Sequence, residues 1–140
     1  MKKVFLLLLL FAAKATLAQK LKAADVPAIA KASFSKAHAG AAGTWEREGT
    51  NYEVNFKEDR KTMSCVVDKN GTILETETDM RVHDLPQTVQ DYVAQHYKGN
   101  PIKEAAHLVK NDGSKLYEAE VGGQDLLFKE DGTFVKRVKD

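Results

Sequence analysis

Residues 84–99 read DLPQTVQDYVAQHYKG, and residues 25–40 read DVPAIAKASFSKAHAG. Each stretch opens on Asp, an apolar residue and Pro, and each closes on glycine, with 59 positions between Asp25 and Asp84 and between Gly40 and Gly99. In the later stretch Val89, Tyr92, Val93, His96 and Tyr97 fall at i, i+3, i+4, i+7 and i+8, one stripe of an α-helix. In the earlier one Val26, Ile29, Ala30, Phe34, Ala37 and His38 share a broader face. Pro27 and Pro86 suit an opening turn, where a missing N–H breaks no helical bond. Gly40 and Gly99 suit the left-handed residue just past a helix end. Two helices are predicted.

Outward from each helix the apolar period changes from 3.6 to 2. Tyr52, Val54 and Phe56 alternate with Glu53, Asn55 and Lys57. Leu74, Thr76, Thr78, Met80 and Val82 alternate with Glu75, Glu77, Asp79 and Arg81, so these carboxylates read as the wet side of a strand. Asn70-Gly71, Asp112-Gly113 and Asp131-Gly132 read as hairpin turns of type I′. Tyr52-Glu53-Val54 returns as Tyr117-Glu118-Ala119, and Asn70-Gly71-Thr72-Ile73 as Asp131-Gly132-Thr133-Phe134. Four matches in one order indicate duplication. The predicted fold is therefore α+β: a tandem repeat of a helix followed by an antiparallel β-meander, with one repeat over residues 19–82 and the second over 83–140.

Residues 1–18 read differently from the rest. Lys2 and Lys3 precede ten unbroken apolar residues at 4–13 (VFLLLLLFAA), and small residues follow, with cleavage expected after Ala15 or Ala18. That is the pattern of a secretory signal peptide, and the run is too short to span a bilayer, which takes about 20 apolar residues. Export to the periplasm is the expectation, with no membrane span. Cleavage after Ala18 removes Lys2, Lys3 and Lys14, leaving 18 basic against 20 acidic side chains, a net charge of −2. Such a balance lacks the basic footprint of a nucleic-acid binder.

With these elements in view the sequence resembles a known family. The two Asp-(Val/Leu)-Pro helices, Trp45-Glu46, Tyr52-Glu53-Val54, Asp68-x-Asn70-Gly71 and Leu126-Leu127-Phe128-x-x-Asp131-Gly132 resemble the PepSY-like, β-lactamase-inhibitor-like (BLIP-like) periplasmic proteins abundant in Bacteroidetes. The resemblance covers essentially the whole chain after residue 18, and its motifs are structural. It implies a helix on a curved antiparallel sheet, repeated in tandem, and a protein-binding or inhibitory role. Helix one departs from the pattern, with Ala30 and Ser33 where a larger apolar pair is usual and His38 at the position of Tyr97 in the second stretch.

No catalytic or metal-binding set stands out. The four histidines, His38, His83, His96 and His107, lack zinc-ligand spacing. His96 reads as a packing residue on its helical stripe, and His38 as a favourable partner for a helix C-terminus. Asp68-Lys69-Asn70-Gly71 begins like a calcium loop, but Asp79 stands where the closing glutamate belongs. Cys65 is the one cysteine and, within Met63-Ser64-Cys65-Val66-Val67, reads as a small buried hydrophobe. Trp45 reads as core, though an aromatic beside Arg47 also suits an interface. The expectation is a non-catalytic periplasmic binding protein, without cofactor, whose partner is another periplasmic or envelope protein. It could inhibit an exported enzyme such as a protease or β-lactamase. Trp45, Arg47, Glu75, Glu77 and Arg81 are the candidate contact residues. The alternatives are a small-ligand carrier using the concavity of the sheet and an envelope-assembly factor. The oligomeric state stays open.

Overall fold

The computed structural model describes residues 19–139. The signal peptide read at residues 1–18 lies outside them. A short 3-10 turn, Ala23–Asp25, leads into helix α1 (Ala28–Ala37) and strands β1 (Gly43–Glu48), β2 (Asn51–Glu58), β3 (Lys61–Val67) and β4 (Ile73–Met80). A second turn, Val82–Asp84, leads into helix α2 (Gln87–His96) and strands β5 (Ile102–Lys110), β6 (Lys115–Val121), β7 (Gln124–Lys129) and β8 (Phe134–Lys139).

The strands do not form two meanders in tandem, and that reading is corrected. They form one eight-stranded antiparallel sheet in the order β1 to β8, with only two ten-residue helices against it. The deciding pairing is β4 with β5, which runs from Glu75↔Lys110 to Met80↔Ala105 across the segment that holds α2. Had each meander stayed separate, β4 and β5 would each present a row of unpaired N–H and C=O groups. Joining them removes both edges.

The turn chemistry differs from the sequence reading as well. Asn70, Asp112 and Asp131 do not have positive φ; only the glycines after them do. At the first, Gly71 N–H donates to Asp68 C=O (3.0 Å), while the Asp68 carboxylate accepts from the backbones of Asn70 and Thr72 (2.8 Å each). This is a longer loop with one left-handed glycine. Gly71 is needed twice over, because a Cβ there would sit 2.8 Å from Ile29 on α1. The pairs with two positive φ values are Asp59-Arg60, at 49° and 66°, and Gly122-Gly123.

Both helices cover the same side of the sheet. α1 buries Ala30 and Phe34 against Trp45, Val54, Phe56, Cys65 and Val67. Phe34 meets Trp45 and Phe56 edge-on, at ring separations of 5.7 and 5.0 Å. α2 buries Val89 and Val93 against Ala105, Ala119, Val121, Leu126 and Phe128. Each buried Val, Leu or Phe among these contributes on the order of 1.5–3 kcal/mol by leaving water. The outer edge of β1 is also covered: Leu21 N–H donates to Trp45 C=O (2.8 Å) and Arg47 N–H to Gln19 C=O (3.3 Å). β8 is the opposite edge of the sheet.

Candidate functional site

Because side chains alternate across a strand, the residues between those helix-facing positions line the helix-free side. Cross-strand pairing arranges them in rows. One row is Glu53, Val66, Glu75 and Lys110; the next is Asn55, Ser64, Glu77 and Leu108; a third is Asp79, Ala106, Glu118, Leu127 and Lys136. Glu53 stands on β2 and Asp125 on β7, two and three strands away from Glu77 on β4. Both act on the Glu77 carboxyl, together with Glu118 and Asp79.

Glu75 and Glu77 are therefore not the wet stripe their alternation suggests. They are 4% and 5% exposed, while Thr76 and Thr78 on the other side are only half-buried. Glu75 is paired with the Lys110 ammonium. Glu77 is not so provided for: its Oε2 is buried and has no hydrogen-bond partner. Burial first, then the carboxylates of Glu118, Asp79, Glu53 and Asp125, push Glu77 up to about 9. Burial, and then Asp125, push Glu118 up to about 8. Burial and the neighbouring Glu48 and Glu46 push Glu53 to about 8, and Glu48 and Glu53 hydrogen-bond each other. Two carboxyl groups in that contact need a shared proton.

The row through Ala106 contains a gap. Asp79 and Glu118 flank a methyl group, and beside it lies a hollow of about 350 Å³ bordered by the carboxyl groups of Glu77, Asp79, Glu118, Glu120 and Asp125 and by the cations Arg81 and Lys103. A second, wider hollow of about 940 Å³ has Arg60, Thr78, His107, Tyr117 and Glu130 in its lining, with Thr78, His107 and Tyr117 on the opposite side of the sheet. Polar and apolar surface share both linings, with Met80 and Val82 beside the carboxyl groups in the first, so neither is the mostly apolar pocket of a small ligand.

This architecture is similar to that of several solved structures. A protein from Bacteroides eggerthii provisionally described as periplasmic superposes with a TM-score of 0.72 at 14% identity, over 80% of this chain and 87% of that one. A DUF2874 family protein from Bacteroides uniformis gives 0.72 at 18% identity, over 80% and 88%. A BLIP-like protein from Bacteroides fragilis gives 0.66 at 23% identity, over 79% and 84%. The fold is BLIP-like. At such identities the likeness extends to the fold alone. No protein-family model matches the sequence, and no curated protein matches it. The PepSY-like part of the sequence resemblance has no counterpart in these comparisons.

The five candidate contact residues do not share one surface. Trp45 is buried on the helix side, and Arg47 stacks over the Tyr52 ring at 4.4 Å on that same side. Glu75 and Glu77 lie on the helix-free side. Arg81 is exposed beyond the end of β4 and pairs with Asp84 at 2.8 Å, and it borders the same hollow as Glu77. Glu53, Ala106, Glu118 and Asp125 were missed. Only the cross-strand register brings them beside Glu77, and one sequence does not display that register. His96 is exposed at its helix end, its ring stacked on Tyr92 at 4.0 Å.

The structure also joins Cys65 to two residues far away in sequence. His38 Nε2 lies 3.5 Å from Cys65 Sγ, and His38 Nδ1 lies 3.0 Å from Glu58 Oε2. Thiol, imidazole and carboxylate in that order match a nucleophile, its base and an orienting group. The sulfur, however, is 0% exposed, and burial is the largest cause pushing the thiol up, away from thiolate. His38 is wedged against the rings of Phe34 and Phe56. Neither Cys65 nor His38 lines either hollow. A substrate carbonyl has no approach to the sulfur, and the trio is packing.

Proposed function

We propose that this chain is an exported, non-catalytic binding protein that takes a protein partner on the helix-free side of its sheet. The observation that carries the reading is the division of labour between the two sides: both helices pack apolar cores against one, and the other carries an array of buried carboxyl groups around a hollow. The signal pattern at residues 1–18 supports a periplasmic location, as do the provisional descriptions of similar structures. Inhibition of an exported enzyme is the finer form of this reading, motivated by the likeness to a BLIP-like protein. The charged lining favours a protein partner over a small apolar ligand.

The test is photocrosslinking in intact cells. A photoreactive residue at Asn55 or Thr62, both on the helix-free side, is expected to capture the same partner. One at Lys36 or Ala94, on the outer surfaces of the helices, is expected to capture none. Capture from the helix positions alone would overturn the reading.

A further inference from the structure

The hollow over Ala106 has features that a general protein surface does not need. Its lining includes a methyl group in a row of long side chains, and its carboxyl groups come from different strands, Glu77 and Asp79 from β4, Glu118 and Glu120 from β6 and Asp125 from β7, with Arg81 and Lys103 as the cations beside them. Most telling, Glu77 is 95% buried, borders this hollow, and has one carboxyl oxygen with no hydrogen-bond partner. Buried polar atoms are satisfied in more than nine cases in ten, and a small turn of the Glu77 side chain, which borders the hollow, would offer the orphaned oxygen to a donor entering there.

The donor must suit several carboxyl groups at once. A single metal ion fits poorly: among the described residues, no three His, Cys, Asp or Glu side chains are grouped as ligands. The carboxyl groups stand on strands separated by β5, with Ala106 between them. A planar, forked donor with five N–H groups bridges such separated acceptors, and it loses less hydration than an ammonium does. We propose that this hollow is a specificity pocket for an arginine side chain of the partner protein, its guanidinium seated between Glu77 and Glu118. The proposal rests on the binding reading above and adds to it the chemistry of the partner.

Protonation gives the pocket a signature. Near neutral pH the raised carboxyls of Glu77 and Glu118 hold protons in the free protein. The groups acting on them are Glu53 from β2, Asp79 from β4, Lys110 from β5, Glu120 from β6 and Asp125 from β7; Lys110 alone among these favours the ionised form. A guanidinium entering the hollow reverses the balance and ionises the pair, so binding releases protons to solvent.

The experiment is a titration of the mature chain at pH 7 with a blocked Gly-Gly-Arg-Gly peptide, followed by side-chain carboxyl ¹³C shifts and by calorimetry in buffers of different ionisation heat. Arginine peptide is expected to bind, to move the Glu77 and Glu118 carboxyl signals toward the ionised position, and to release protons. The citrulline peptide, of the same shape but uncharged, is expected to do neither. Glu77→Gln, close in size to the native side chain, is expected to weaken binding at least tenfold. Ala106→Leu, which leaves every carboxyl in place, is expected to abolish it by filling the hollow. Equal binding of the arginine and citrulline peptides, or binding unchanged in both folded variants, overturns the proposal. A partner crosslinked at Asn55 and Thr62 that binds Glu77→Gln and Ala106→Leu as tightly as wild type also overturns it, while leaving the broader reading intact. Arginine binding with capture from the helix positions alone overturns the broader reading instead.

Discussion

The two sides of the sheet bury side chains of opposite character. Under the helices lie Phe34, Val54, Phe56, Val89 and Phe128, whose burial favours the folded state. On the other side lie Glu53, Glu77 and Glu118, whose burial opposes folding whenever they must give up or share charge. Nothing in backbone geometry demands the second arrangement, since the same strands carry Val66, Leu108 and Leu127 on that side without difficulty. The helix side supplies stability that the helix-free side consumes.

The sharpest way to break this contrast is to attack each side in turn. Phe128→Ala, at a position with no exposure and ring contacts to Tyr92 and Phe134, is expected to lower stability by about 3–5 kcal/mol in urea unfolding. Glu77→Gln is expected to act in the opposite direction. The folded-state value of Glu77, about 9, exceeds that of an unfolded glutamate, so folding takes up a proton between those two values. Its contribution is therefore full below the unfolded value and is lost as pH rises toward 9. Wild type is expected to lose melting temperature steadily from pH 5 to pH 9. Glu77→Gln should flatten that slope and gain roughly 2 kcal/mol over wild type at pH 8. A wild-type protein more stable at pH 8 than at pH 5 would contradict the buried-carboxyl account.

Smaller effects sharpen the picture. Cys65→Ala is expected to cost about 1–2 kcal/mol as a lost packing atom, and native Cys65 should react with thiol reagents at least a hundredfold more slowly than in urea. Rapid labelling of the folded chain would restore the Cys65–His38–Glu58 trio as a candidate reactive centre. Least of all, Arg81→Ala is expected to leave the melting temperature unchanged, because its pairing with Asp84 is exposed to solvent.

How much of this was legible in the sequence depends on which side is considered. The α2 stripe of Val89, Tyr92 and Val93 and the Tyr52-Val54-Phe56 alternation are local patterns, and local patterns can be read from one chain. The junction of β4 with β5 is not local: more than twenty residues, including α2, separate Met80 from Ile102. The burial of Glu75 and Glu77 is harder still to see. Alternation assigns a residue to a side of a sheet, but whether that side is wet depends on bending and on what neighbouring strands contribute. Ala106 is an ordinary alanine in Lys103-Glu104-Ala105-Ala106 until the register sets it between Asp79 and Glu118. The type I′ reading failed for a related reason. Asn-Gly and Asp-Gly mark a turn reliably, but loop length decides which turn, and Asp59-Arg60 adopts two left-handed residues with no glycine at all.

The margins of the sheet carry one more consequence. The β1 margin is covered by the chain's own Gln19–Leu21 segment, and β8 carries Lys136 and Arg137 on its opposite sides. A second molecule adding itself strand to strand would have to displace that segment at one margin or bring like charges together at the other. Fibrous self-association, the standing hazard of a broad antiparallel sheet, is thereby discouraged at both ends without closing the sheet into a barrel.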